Sequence, residues 1–171
     1  MRQTNTLLRN LIAATTFSCA VASAACATPG APMAPEAVVT NGGTSADSTA
    51  FCIAEINRLR ATVGQPALAR SSRIDSFSAD AAHVDGEAHQ AHTYFLQTNG
   101  GNGTAKAENV IPWWKASQYG SVHAIIQNGL ATMWAEGPGG AHYENIKGAF
   151  TEMGCGVFVS NDEVTVSQDF R

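Results

Sequence analysis

An α+β fold follows from two features of the way apolar residues recur along the chain. Three segments repeat apolar residues at helical spacing, and the chain then closes on two strand-like runs separated by Asn161-Asp162. Helices first and a hairpin last is the order expected of an α+β domain.

The first helix is predicted over about Ser48 to Val63, where Ile53, Ile56 and Leu59 recur until Gly64-Gln65-Pro66 stops them. Ser71 or Ser72 can cap a second helix from Arg73 to about His92, carrying Ile74, Phe77, Ala81, Ala82 and Val84. Such a helix places His89 and His92 on one face. Thr98 to Thr104 reads as a flexible glycine loop, and Ala107 to Ile111 as a short extended segment limited by Pro112. A strongly apolar third helix follows from Ser121 to Trp134, interrupted only by Gly129 and ended by Gly137-Pro138-Gly139-Gly140. His142 to Lys147 can form a single helical turn. Phe150 to Ser160 and Glu163 to Phe170 are the two strands, with Asn161-Asp162 as their hairpin turn. No internal repeat or heptad is present.

The N-terminal residues address the chain. Arg2 and Arg9 precede an apolar run of small residues that reaches Ala25 and contains Ala22-Ser23-Ala24, the layout of a signal peptide over residues 1–25 and too short to span a membrane. Ser23-Ala24-Ala25-Cys26 also resembles a lipoprotein box, but Ser23 stands where that motif takes a bulky aliphatic residue. The expectation is a secreted or cell-envelope protein, extracellular or periplasmic; the alternative is a lipoprotein held to the membrane through Cys26. Residues 26–50 are rich in Ala, Pro, Thr, Gly and Ser and read as a low-complexity linker, since they offer too little apolar surface to offset the entropy of ordering. One folded domain of residues 51–171 remains.

Removing residues 1–25 takes Arg2 and Arg9 from the 10 basic residues and leaves 8 against 14 acidic ones, a balance of −6. No basic run with interleaved aromatics is present to hold phosphates, which argues against a nucleic-acid partner. Of four cysteines, Cys19 leaves with the signal peptide and Cys26 belongs to the tether or anchor. Cys52 and Cys155 remain, at opposite ends of the domain in a compartment that permits disulfides, and a bond between them is predicted.

The last third of the chain carries a family resemblance. Ala107-Glu108-Asn109-Val110, the helix ending in Met133-Trp134, Ala141-His142-Tyr143-Glu144-Asn145-Ile146, Thr151-Glu152-Met153-Gly154-Cys155-Gly156 and Gln168-Asp169-Phe170 occur in that order. Together they resemble the CAP superfamily (cysteine-rich secretory proteins, antigen 5, pathogenesis-related 1), in its short bacterial secreted branch, over roughly Phe51 to Arg171. The resemblance implies an α-β-α sandwich with helices on both faces of a small antiparallel sheet. It also implies a shallow cavity lined by two histidines and two acids, which map here to His92, Glu108, Glu136 and His142. Glu136 lies two residues after Trp134, whereas the family's acid usually lies three after its tryptophan.

Two neutral imidazoles and one or two carboxylates are donors for a Zn²⁺-like cation, with His92 and His142 as the metal-binding histidines. Without metal, a carboxylate beside each imidazole raises its pKa and fixes its tautomer, giving a proton-transfer pair. The structural alternative is that both histidines only tie loops to the sheet. No His-Glu-x-x-His and no Gly-x-Ser-x-Gly occurs. Ser117, Ser121 and Ser167 become nucleophiles only if folding sets a histidine beside one. His83 and His123 read as ordinary helix residues, Trp113-Trp114 as core packing or an aromatic lip, and Asn109 and Asn145 as backbone braces. Three functions are consistent with these residues. The leading one is an extracellular binding module for a small apolar ligand, glycan or protein partner; the others are a metal-dependent, protease-like hydrolase using the His/Glu cavity, and a structural envelope protein.

Overall fold

The computed structural model describes residues 45–171. The signal-peptide segment, Cys26 and residues 27–44 of the linker lie outside the described residues. Helix α1 spans Ser45–Thr62, so residues 45–50 are its first turns rather than linker. Their small polar side chains carry no apolar pattern, yet Ser48 and Thr49 are buried, and Thr49 Oγ1 donates to the carbonyl of Cys155 at 3.2 Å. A two-residue strand, β1 (Ala69–Arg70), leads into α2 (Ser72–Ala88).

The second helix stops four residues before its predicted end, and the cause is a buried acid. Asp85 takes the backbone N–H of His92 at 2.7 Å and that of Tyr94 at 3.1 Å, which turns the chain back over the helix end. His89 closes α2 in the left-handed conformation at φ 46°, and His92 is left-handed as well at φ 65°. The two histidines therefore do not share a helical face. Helix α3 (Thr93–Gly103) follows and is broken within the expected glycine loop, where Asn99 to Asn102 leave the right-handed helical conformation, all at φ between 52° and 60°.

Strand β2 (Ala107–Lys115) runs past Pro112, because its register against the last strand shifts between Ile111 and Trp114. A proline that lacks an N–H is tolerated at such a bulge. Helices α4 (Ala116–Tyr119), α5 (Val122–Ala135) and α6 (Ala141–Lys147) follow. Ser121 caps α5, its hydroxyl accepting from the N–H of Ala124 at 3.1 Å. Strands β3 (Glu152–Ser160) and β4 (Glu163–Phe170) form the expected hairpin.

The sheet has the order β1-β3-β4-β2. Pairs β3–β4 and β4–β2 are antiparallel, while β1 lies parallel to β3, so the sheet is mixed where an antiparallel one was expected. The period of two sorts the hairpin residues between two layers. On one face Met153 and Cys155 of β3 and Val164, Val166 and Phe170 of β4 join Ile53 and Ile56 of α1 and Ile125, Ile126 and Leu130 of α5 in the apolar core. On the other face Gly154 and Gly156 lie directly against α2. A Cβ at Gly156 would stand 2.1 Å from the backbone of Ser78, so only glycine lets the helix approach this closely. The result is an α+β sandwich with helices on both faces of the sheet.

Cys52 and Cys155 form the predicted disulfide, joining α1 to β3 with a Cα–Cα distance of 6.4 Å. No helix among the described residues is long and apolar enough to cross a membrane.

Candidate functional site

Glu108 is the second residue of β2 and pairs in register with Asp169 of β4, so both carboxylates stand on the face covered by α2. The Glu108 side chain is 1% exposed. His92, held in its left-handed turn by Asp85, places Nδ1 2.9 Å from Glu108 Oε1. Behind them Ser78 of α2 donates to Asp169 Oδ2 at 2.7 Å. Three acids, Asp85, Glu108 and Asp169, thus share one buried layer with a single half-exposed imidazole.

Electrostatics follow from that crowding. Burial pushes Asp169 well above the usual carboxylate range, and the nearby charges of Glu108 and Asp85 push it further, against the hydroxyl of Ser78. Glu108 is also raised, chiefly by burial, although its bond with His92 opposes the shift. The same bond raises His92, with desolvation working against it. Glu108 Oε2 and Asp169 Oδ1 are both buried with no hydrogen-bond partner among the described residues. A carboxyl that keeps its proton is the natural state for such a pair, because two like charges in one dry layer repel.

Glu136 and His142 form a second pair across the turn of Gly137 to Gly140. Glu136 Oε1 lies 2.5 Å from His142 Nδ1, and Oε2 accepts the His142 backbone N–H at 3.1 Å. The one-residue difference in spacing after Trp134 does not keep this acid from its histidine. The imidazole bond, followed by the backbone bond, holds the Glu136 carboxyl below its ordinary range. Both side chains are about one third exposed, at 33% and 36%.

Two asparagines link the halves. Asn145 of α6 donates to Asn109 Oδ1 at 2.9 Å and to the carbonyl of Glu108 at 3.3 Å, while Asn109 donates to the carbonyl of His142 at 3.3 Å. This clamp fixes α6, and with it His142, against the strand that carries Glu108.

Beside the second pair lies a pocket of about 150 Å³. Val110, Ile111, Pro112 and Trp114 of β2 line it on one side, and Gly129, Thr132 and Met133 of α5 on the other. Glu136 and His142 complete the lining and are its two titratable residues. Gly129 is required for this contact between helix and strand: a Cβ there would fall 2.4 Å from Ile111 Cδ1.

The four residues mapped by resemblance thus stand as two pairs, each of one imidazole and one carboxylate. A catalytic zinc takes three protein ligands, and among the described residues no group of three or more His, Cys, Asp or Glu is arranged to hold a metal ion. Among the described residues the arrangement does not supply a zinc site. Two of the three serines have other partners: Ser117 bonds Asp162, and Ser121 caps α5. Ser167 is buried in the sheet. Trp114 stacks on Tyr119 at 4.9 Å, and Trp113 lies 5.3 Å from His89, whose Nε2 bonds Glu163 at 2.6 Å. His83 packs edge-on to Phe158 and His123 stacks on Phe51.

Sequence reasoning missed Asp85 and Asp169. Asp169 sits in the Gln168-Asp169-Phe170 motif, where strand alternation groups it with Thr165 and Ser167 on the α2 face. An acid on that face was the available signal.

A family model described as the cysteine-rich secretory protein family, CAP, matches residues 53–170. No curated protein matches. Among solved structures, the chain is similar to Na-ASP-1, with 13% identity, 84% of this chain and 43% of that chain covered, and a TM-score of 0.53. A cysteine-rich secretory protein from Staphylococcus aureus subsp. aureus Mu50 (SAV1118) aligns with 16% identity over 78% of this chain and 40% of that chain, with a TM-score of 0.49. The chain therefore spans about two fifths of the length of these structures. At such identities the likeness to Na-ASP-1 bears on the fold alone.

Proposed function

The chain belongs to the cysteine-rich secretory protein (CAP) family, and from that premise we propose that it is an exported binding module that holds a small, largely apolar ligand between β2 and α5. The observation that carries the reading is the pocket itself. Its lining is mostly apolar, with the hydroxyl of Thr132 and two ionisable groups, Glu136 and His142, to orient what enters. Each histidine of the two pairs is bonded to a carboxylate, which suits orientation and recognition. Export is supported by the sequence of residues 1–25 and by the formed Cys52–Cys155 bond, since disulfides persist in oxidising compartments.

The test uses the full chain, expressed with its own N-terminus and recovered without detergent. Native mass spectrometry of this protein is expected to reveal a bound small molecule, and Thr132→Phe, which places a ring in the pocket from the exposed side of α5, is expected to lose it. Equal adducts, or none, on both proteins would refute the reading.

A further inference from the structure

The pocket's polar end is one-sided. Glu136 accepts two hydrogen bonds from His142, one from Nδ1 and one from the backbone N–H. The backbone N–H of Tyr143 is a third donor to the same carboxylate, which has about four lone-pair sites, so about one remains open. Among the described residues no lysine or arginine lines the pocket. The one formal charge on the lining is thus the Glu136 carboxylate, whose open site is an acceptor. A ligand carboxylate would meet like charge at Glu136. A ligand cation would find a charge-assisted hydrogen bond and the ring of Trp114 in the same lining.

Size narrows the class further. A volume of about 150 Å³ equals that of an engineered apolar cavity able to take up benzene, so the buried body is one small ring or a short alkyl chain. We propose that the pocket selects a small aromatic or short alkyl ammonium compound, its apolar body between Ile111, Trp114 and Met133 and its ammonium group donating to Glu136. The proposal rests on the binding-module reading and names the ligand class of that same pocket.

Three probes of one size separate the alternatives: benzylammonium, benzyl alcohol and benzoate, titrated at pH 8 and followed by amide chemical shifts. Wild type is expected to bind benzylammonium about five- to tenfold more tightly than benzyl alcohol, because only the ammonium adds opposite charge to its hydrogen bond with the carboxylate, and to bind benzoate least. Glu136→Gln is expected to abolish the advantage of benzylammonium over benzyl alcohol. Thr132→Phe is expected to remove all three. If benzoate binds as well as benzylammonium, the cation preference is wrong and the pocket reading stands. If no probe shifts the residues lining the pocket, the pocket reading falls and the cation preference with it.

Discussion

The Cys52–Cys155 bond spans 103 residues, nearly the whole described domain, and its removal is the perturbation whose size is easiest to work out. In the chain-entropy model, closing a loop of that length removes denatured-state freedom equal to about 4.7 kcal/mol at 25 °C. Both cysteines are also fully buried, at 0% and 1% exposure, so Cys52→Ala with Cys155→Ala empties two sulfur positions at the junction of α1 and β3. That loss of packing adds about 1–2 kcal/mol. The sum, about 6 kcal/mol, is comparable to the entire stability of an ordinary domain, roughly 5–15 kcal/mol. Urea unfolding at 25 °C, followed by tryptophan fluorescence, is the assay. Oxidised and reduced wild type isolate the cross-link, and the double alanine variant adds the packing term. The expected order is oxidised wild type, then reduced wild type lower by about 4–5 kcal/mol, then the variant. A difference between oxidised and reduced wild type below about 2 kcal/mol would show that the denatured chain is already compact and that loop closure is the wrong account.

Three further outcomes follow from the buried acid layer and the helix above it. Because Asp169 is raised in the fold, its contribution is favourable below its unfolded pKa, about 3.9, and is lost as pH rises toward the folded value. Asp169→Asn is therefore expected to be more stable than wild type at neutral pH by about 1–3 kcal/mol, with the advantage vanishing near pH 4; urea melts across that range check it, and a variant less stable at every pH contradicts the argument. His92 is raised by Glu108, so its stabilisation is present below its unfolded pKa of about 6.5 and lost as pH rises through the folded value. Glu108→Gln should lower the His92 titration midpoint read from its ring proton shifts, and an unchanged midpoint would remove Glu108 as the cause. Gly156→Ala drives a methyl into the Ser78 backbone and is expected to cost at least the ~3 kcal/mol at the top of the usual overpacking range, visible as a lowered Tm.

Much of the site was readable before the fold was known, because family motifs keep their residues in a fixed order. Glu108 beside Asn109, His142 ahead of Asn145, and His92 after α2 were all marked by their neighbours in sequence. Their pairing was not. It depends on two left-handed turns and a glycine-proline loop, whose backbone angles are set by distant partners such as Asp85 accepting the N–H groups of His92 and Tyr94. The end of α2 was misplaced for the same reason: helical periodicity continues through His89, and only a buried carboxylate stops it.

By itself, then, the sequence determined the α+β class, the helices α1, α2, α5 and α6, the closing hairpin and the disulfide partners, and it marked four polar residues as candidates, because each rests on local periodicity, cysteine count or a contiguous motif. The tertiary structure alone decided that β1 joins the sheet in parallel, that Asp169 lies under α2 beside Glu108, and that the histidines divide into two pairs. It also decided that a pocket opens where Gly129 lets α5 meet β2. These are contacts between residues tens of positions apart, and no local pattern encodes which of several compatible partners a side chain will meet once the layers close.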